Sequence, residues 1–218
     1  MTRLMPRVLR ALERFHAGRP WDHNAHYHRW ILRQLPRRVD RALDVGCGTG
    51  DLARLLSSRA ERVHGVDADS TVVARARQLT PRGTQVTFTV GDALSAIPPG
   101  PYDVIACVAT IHHLPFSDAL TLFRQHLAPG GTLVVVGLAH RRSRSDLLID
   151  AVAIPSNVAM AWIRNKGRKS PRPASMTAPT RPATMAFSDI VRDARRALPG
   201  ARLRRRLFWR YTLVWHQR

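Results

Sequence analysis

Cysteine is scarce in this chain. Cys47 and Cys107 are the only two in 218 residues, sixty positions apart, which excludes a disulfide scaffold and a cysteine-rich zinc site. Lysine is almost absent: of 35 basic residues only Lys166 and Lys169 are lysines, and the other 33 are arginines. That bias, with abundant alanine, fits a GC-rich coding sequence as well as it fits a nucleic-acid partner. No apolar signal region follows Arg3, Arg7, Arg10, Arg14 and Arg19, so no secretory leader is expected, and a reducing cytoplasm is the expected compartment. Long hydrophobic runs are missing too. The best spanning candidate, 147–163, contains Asp150, Pro155, Ser156 and Asn157 and is too broken to cross a bilayer. No internal repeat is visible.

What the chain does have is a 44% hydrophobic content, enough for one domain of this length to bury ~70% of its unfolded surface. The net charge of +20 is unevenly placed. Residues 1–41 carry net +7, residues 42–140 net −1, and residues 141–218 net +14. A near-neutral middle between basic flanks implies that the flanks serve a different purpose from the core.

The middle alternates short apolar runs with helical patterns, the sign of a parallel α/β sheet. Strands are predicted at 41–45, 62–66, 85–90, 102–109 and 132–138, and helices at 51–59, 70–79 and 117–127, with Ser70 and Ser117 as N-caps. Beyond Leu138 the pattern changes to a largely apolar helix over 146–163, broken near Pro155. A Pro-, Arg- and Ser-rich loop follows at 167–182, then a helix at 187–198 and a closing hairpin of 201–206 with 211–215.

The strongest signal is Ala42-Leu43-Asp44-Val45-Gly46-Cys47-Gly48-Thr49-Gly50-Asp51-Leu52. An apolar strand enters a glycine turn that opens a helix, so a ligand can approach bare backbone at the carboxyl end of the sheet. The dinucleotide fingerprint wants a small residue at position 51, where Asp51 would repel a pyrophosphate, and no Gly-Lys-Ser/Thr marks a P-loop. Asp44 and Asp51 instead suit a ligand carrying positive charge, and S-adenosylmethionine, with an ammonium and a sulfonium, is one. Asp67 follows Gly46 by 21 residues, the distance at which a carboxylate reaches ribose hydroxyls. Asp92, in Gly91-Asp92-Ala93 after the third strand, can accept from an adenine amino group.

Asp44–Gly50, Asp67, Gly91-Asp92-Ala93, Tyr102-Asp103-Val104-Ile105 and Leu127-Ala128-Pro129-Gly130-Gly131-Thr132-Leu133 resemble, in order and spacing over residues 40–140, the motifs of class I S-adenosylmethionine-dependent methyltransferases. The tail, through 198–202 and 210–215, is similar to part of the family's small-molecule branch. The resemblance implies a doubly wound, mainly parallel seven-stranded sheet of Rossmann-like methyltransferase type, with the last strand antiparallel and a helical lid. It implies S-adenosyl-L-methionine as cofactor, S-adenosyl-L-homocysteine as product, and no metal. It also implies an N-terminal helical lid over 1–38, a methyltransferase domain over 39–218, and a helix-plus-loop insertion at 139–186 that caps the substrate, with apolar surface from Leu147 to Trp162. Cofactor-binding positions carried over are Asp44, Gly46, Gly48, Gly50, Asp67, Ala68, Gly91, Asp92, Ala93 and Val108, with Tyr27 or His23 of the lid reaching the methionine carboxylate.

His112 and His113 fall where the family's fourth motif meets substrate, and histidine can take a proton near neutral pH, so they are the candidate general bases. Packing under Phe116 or against adenine is the alternative reading of either. The exit of the fourth strand lacks Asn/Asp-Pro-Pro-Tyr, which argues against adenine and glutamine N-methylation, and Cys107 lacks the preceding proline of cytosine-C5 enzymes. His23, His26 and His28 cluster without a carboxylate or cysteine that would complete a metal site. The expected reaction is methyl transfer to an O, N or C nucleophile of a small molecule. The alternatives are an RNA methyltransferase using the basic flanks, a binding protein without transferase activity, and a 147–163 helix lying on a membrane.

Overall fold

The apolar runs of the middle pair into one seven-stranded sheet, seen in a computed structural model that describes residues 12, 14–140, 144–176 and 181–218, with the side chains of 144–148, 150 and 174 outside the description. The strands are β1 (Val39–Val45), β2 (Ala60–Asp67), β3 (Val86–Val90), β4 (Tyr102–Val108), β5 (Leu127–Leu138), β6 (Arg202–Arg206) and β7 (Arg210–His216), in the order β3-β2-β1-β4-β5-β7-β6. The first five run parallel. β7 is antiparallel to both β5 and β6, so the last strand is reversed as the family resemblance implies. The chain winds from β1 outward through β2 and β3, then returns to β4 beside β1. That reversal opens a crevice between the carboxyl ends of β1 and β4, where ligands of doubly wound sheets bind.

Helices cover both faces, which is why the central strands are buried on both sides instead of alternating. Alternate residues feed two cores. Leu43, Val45, Ile105, Cys107, Leu133 and Val135 pack under α4 (Phe116–His126) and α6 (Phe187–Ala197). Ala42, Val104, Ala106, Val134 and Val136 pack under α1 (His23–Gln34), α2 (Asp51–Leu56) and α3 (Ser70–Leu79).

Three local expectations are corrected. The N-cap of α3 is Asp69, not Ser70: the Asp69 carboxylate accepts from the amides of Thr71 and Val72. Ser117 lies inside α4, whose start at Pro115 has no side-chain cap. The helix α5 (Arg144–Arg164) runs unbroken through Pro155. Its Ala153, Asn157 and Ala161, spaced four apart, are buried, and this packing holds the helix together where the proline lacks an N–H. The segment between β5 and α6 closes at its base, where the His140 amide donates to the Met185 carbonyl over 2.7 Å. Of the proposed lid, residues 1–11 and 13 and the Leu147 and Leu148 side chains lie outside the described residues.

Candidate functional site at the carboxyl edge of the sheet

The turn after β1 uses three residues in the left-handed region: Gly46, Gly48 and Gly50 have φ of +72°, +51° and +78°. The need differs at each. A Cβ on Gly46 would run into the Thr110 side chain, so the turn after β4 packs directly on the turn after β1. A Cβ on Gly50 would lie 2.8 Å from the Phe88 ring. A Cβ on Gly48 would meet nothing within 4 Å, so here the backbone borders open space.

Asp44 ends up under this turn, fully buried, with Oδ2 lacking any hydrogen-bond partner. Burial, followed by the neighbouring negative charges of Asp67 and Asp51, pushes its carboxyl up to about 7. An acceptor of this kind, orphaned inside the protein, is a costly feature that a cationic ligand would relieve. Asp67, at the end of β2, accepts from the Gly48 amide at 2.9 Å and from the Asp69 amide at 3.0 Å. Its oxygens therefore shape the glycine turn, and each keeps a further lone pair.

Asp51 does not offer a free charge. It accepts from the Thr49 hydroxyl at 2.6 Å and pairs with Arg54 at 2.8 Å, so Asp44 is left as the uncompensated acid of the turn. Gly91 fits tightly against Ala96, and its amide donates to the Asp67 carbonyl, tying the β3 exit to the β2 exit. Asp92 is exposed and accepts from the Leu94 amide at 2.8 Å, Ala93 belongs to the core, and Ala68 is exposed. Val108 lines a cavity of about 70 Å³ together with Asp44, Gly46, Cys47 and Gly48.

The N-terminal helix closes this cavity, but not through the expected side chains. Asp22, Asn24 and His28 face it, as does Ser175 from the distant loop. Tyr27 instead packs inward with Ile31 and donates its hydroxyl to the Leu207 carbonyl at 2.6 Å. His23 turns away toward α5, where its Nε2 lies 2.9 Å from Asn157 Oδ1. Tyr27 and His23 are therefore engaged elsewhere. The Asn24/His28 stripe, one residue further along the helix, is the one presented to the glycine turn. Asp22 caps α1 by accepting from the Asn24 and Ala25 amides, which fixes where the helix begins.

After β4 the chain passes through Ala109, at φ +52°, into a short 3-10 turn of Ile111–His113. His112 Nε2 lies 3.1 Å from the Arg181 carbonyl oxygen. A carbonyl only accepts, so Nε2 carries the hydrogen and Nδ1 holds the basic lone pair, buried and without a partner. Burial first, then the adjacent His113 ring 4.1 Å away, lowers His112 to about 4. His113 is exposed and close enough to Asp67 for that carboxylate to raise its basicity, although burial and Arg181 outweigh the effect. Both thiols, Cys47 and Cys107, are buried and pushed upward, mainly by burial, which makes them packing groups.

Known proteins agree with this geometry. The family described as "Methyltransferase domain" matches residues 42–131, from β1 to the start of β5. An uncharacterised methyltransferase of Mycobacterium tuberculosis is 30% identical over 202 residues, covering 90% of this chain and 96% of that protein. A trans-aconitate 2-methyltransferase of Streptomyces avermitilis is 37% identical over 106 residues, 46% of this chain and 39% of that enzyme. Among solved structures, the N-methyltransferase NodS from Bradyrhizobium japonicum in complex with S-adenosyl-L-homocysteine superposes with a TM-score of 0.60 at 19% identity, covering 95% of this chain and 97% of that one, a likeness of fold. With relatives matched along nearly its whole length and the glycine turn set at the switch point of a reversed-last-strand sheet, the chain belongs to the class I S-adenosylmethionine-dependent methyltransferases.

Proposed function

We propose that this chain transfers a methyl group from S-adenosylmethionine to an O, N or C nucleophile of a small-molecule acceptor. The observation that carries the cofactor part is Asp44: a buried carboxylate oxygen without a partner, beside a turn whose backbone at Gly48 borders open space. The residues fit the group. Asp44 and the turn would hold its cationic methionine end. Asp67 would accept from the ribose hydroxyls through its remaining lone pairs, and Ala68, Asp92, Ala93 and Val108 would border the adenosine. When bound, S-adenosylmethionine supplies an electrophilic methyl on a sulfonium.

The chain's own residues position the acceptor and keep water out. The lid over 1–38 and the insertion over 139–186 are the covering elements, joined where Trp21 and His23 meet Asn157. His112, with its neutral Nδ1 lone pair, is the proposed acceptor of a hydroxyl or carbon-acid proton.

The small-molecule reading is favoured over RNA by what the tail arginines do. Arg205 stacks over Phe187, Arg206 stacks over Trp30 and binds Thr212, and Arg210 is half-buried on Asn24. They pack the sheet edge instead of forming an open phosphate-binding stripe. Incubation with methyl-labelled cofactor, an extract of small metabolites and total RNA tests the choice. Label is expected in the small-molecule fraction, and label confined to RNA would overturn it.

A further inference from the structure

Four of the seven large apolar side chains exposed among the described residues sit on one helix: Val152, Ile154, Trp162 and Ile163 of α5, with Trp162 and Ile163 each 58% exposed. Residues 151–163 contain no charged side chain, in a chain that is 23% charged. The small residues Ala153 and Ala161, with Asn157, face inward, so the larger apolar groups are turned out. Both faces of 151–163 are thus mainly apolar or small, which hides the outward face from a sequence pattern. Between this face and Leu12 and Phe15 runs an apolar groove of about 700 Å³.

The other half of the feature is cationic. Arg164, Lys166, Arg168 and Lys169 follow the helix directly, all exposed, and among the described residues no carboxylate pairs with them. They include both lysines of the chain. The segment is held in place: the Ser170 amide donates to the Gly18 carbonyl at 3.0 Å, Arg19 donates to the Gly167 carbonyl, and Asn165 donates to the Pro20 carbonyl. It also folds back beside the aromatic of the apolar face: a Cβ on Gly167 would lie 3.1 Å from Trp162 Nε1.

From this juxtaposition we propose that the outer face of α5 and its cationic run dock the protein on anionic phospholipid bilayers, as a peripheral contact. An apolar face with a tryptophan at its margin and cations beside it matches the layering of a bilayer surface, where apolar groups enter the acyl boundary and long cationic stems reach the headgroups. No helix of the described residues is long and apolar enough to cross a membrane, so the contact lies on the surface. A second copy is the poorer occupant, because an isologous pairing on this face, whose residues 151–163 hold no carboxylate, would leave both cationic runs without a partner of opposite charge. The inference does not depend on the methyl-transfer reading.

Flotation of the full chain with phosphatidylcholine vesicles, with and without phosphatidylglycerol, is the test. The wild type is expected to float with the anionic vesicles and not with the neutral ones. A chain of this charge can adhere to anions without a specific site, so the deciding variant alters no charge. Val152→Ser, Trp162→Ser and Ile163→Ser together should weaken vesicle binding at least about tenfold. Lys166→Glu with Lys169→Glu should do the same, while Arg37→Glu with Arg38→Glu, the same charge change on exposed residues elsewhere, should have a much smaller effect. If the triple variant melts early, Trp162→Phe serves instead: brominated phospholipid should quench the wild-type emission and quench the variant less. The proposal is overturned if the wild type stays unbound, if the triple variant floats like the wild type, if both charge pairs weaken binding equally, if quenching is unchanged by Trp162→Phe, or if light scattering shows a dimer that the triple variant dissolves.

Discussion

The Gly48 amide donates to Asp67 Oδ2 over 2.9 Å, so the carboxylate proposed to hold ribose also holds the turn on which the cofactor rests. The two roles can be separated. Asp67→Asn keeps an acceptor for the Gly48 amide but turns its NH2 toward the Asp69 amide, so it should melt somewhat earlier than the wild type. Asp67→Ala loses the charge-assisted bonds to Gly48 and Asp69, an effect of about 1.5–3 kcal/mol, and should melt earlier still. Both should bind S-adenosylhomocysteine about tenfold or more weakly. Calorimetric titration with parallel thermal melts checks the pair, and unchanged affinity in both variants would remove Asp67 from the site.

Asp44 gives the cofactor site a pH dependence. Its folded-state value of about 7 stands above the ordinary 3.8, so between those values the folded chain holds a proton that the unfolded chain releases, and ionisation works against the fold. A cationic ligand favours the ionised form and must expel that proton. Affinity for S-adenosylhomocysteine, whose ammonium persists in this range, should therefore rise from pH 6 to pH 8, with proton release visible as a buffer-dependent heat at pH 6.5. Asp44→Asn should abolish the dependence, lose most of the affinity, and melt higher than the wild type at pH 8.

His112 at about 4 is neutral throughout the physiological range, so its protonation should not limit the rate near neutrality. With a hydroxyl or carbon-acid acceptor, kcat governed by this group should stay flat from pH 8 down to about 6 and fall only as the pH approaches 4. His112→Ala should lower kcat about 10²-fold, the low end for general-base catalysis because so weak a base takes a proton with little driving force, while cofactor affinity stays intact. Full activity of His112→Ala on a hydroxyl acceptor would exclude the base.

Asn157 joins the two covering elements. Its Oδ1 accepts from the Trp21 indole N–H at 2.8 Å and from His23, and its Nδ2 lies 3.3 Å from His16 Nε2. Asn157→Ala should leave the buried Trp21 donor and the His23 ring unpaired, at a cost of about 2–4 kcal/mol. Hydrogen exchange should then quicken over 22–34 and 144–164 and not over β1 or β4. Uniform acceleration across the sheet would mean that the covering elements are not a separable unit.

The parts legible in the sequence were those set by local chemistry. The glycine turn, the alternation of strands and helices over 41–138 and the closing hairpin all rest on spacing that survives in the folded chain. The parts that were not legible depend on rotation and packing. Which stripe of α1 meets the turn is decided by Tyr27 and Ile31 packing inward, and nothing local distinguishes that stripe from Asn24 and His28. The continuity of α5 through Pro155 depends on Asn157 and its alanine neighbours finding partners far along the chain. Asp51 could have been read better, since Arg54 three residues on is well placed to pair with it on a helix.

The β1 turn is proposed as a cationic-cofactor site, not a dinucleotide-phosphate site. Titration of the full chain with S-adenosylhomocysteine and, separately, with NAD tests it most directly, with Gly48→Val as the variant that fills the open side of the turn. One S-adenosylhomocysteine should bind per chain, NAD should not bind detectably, and Gly48→Val should lose the S-adenosylhomocysteine signal. NAD binding as tightly as S-adenosylhomocysteine, or S-adenosylhomocysteine binding undiminished in Gly48→Val, would contradict it.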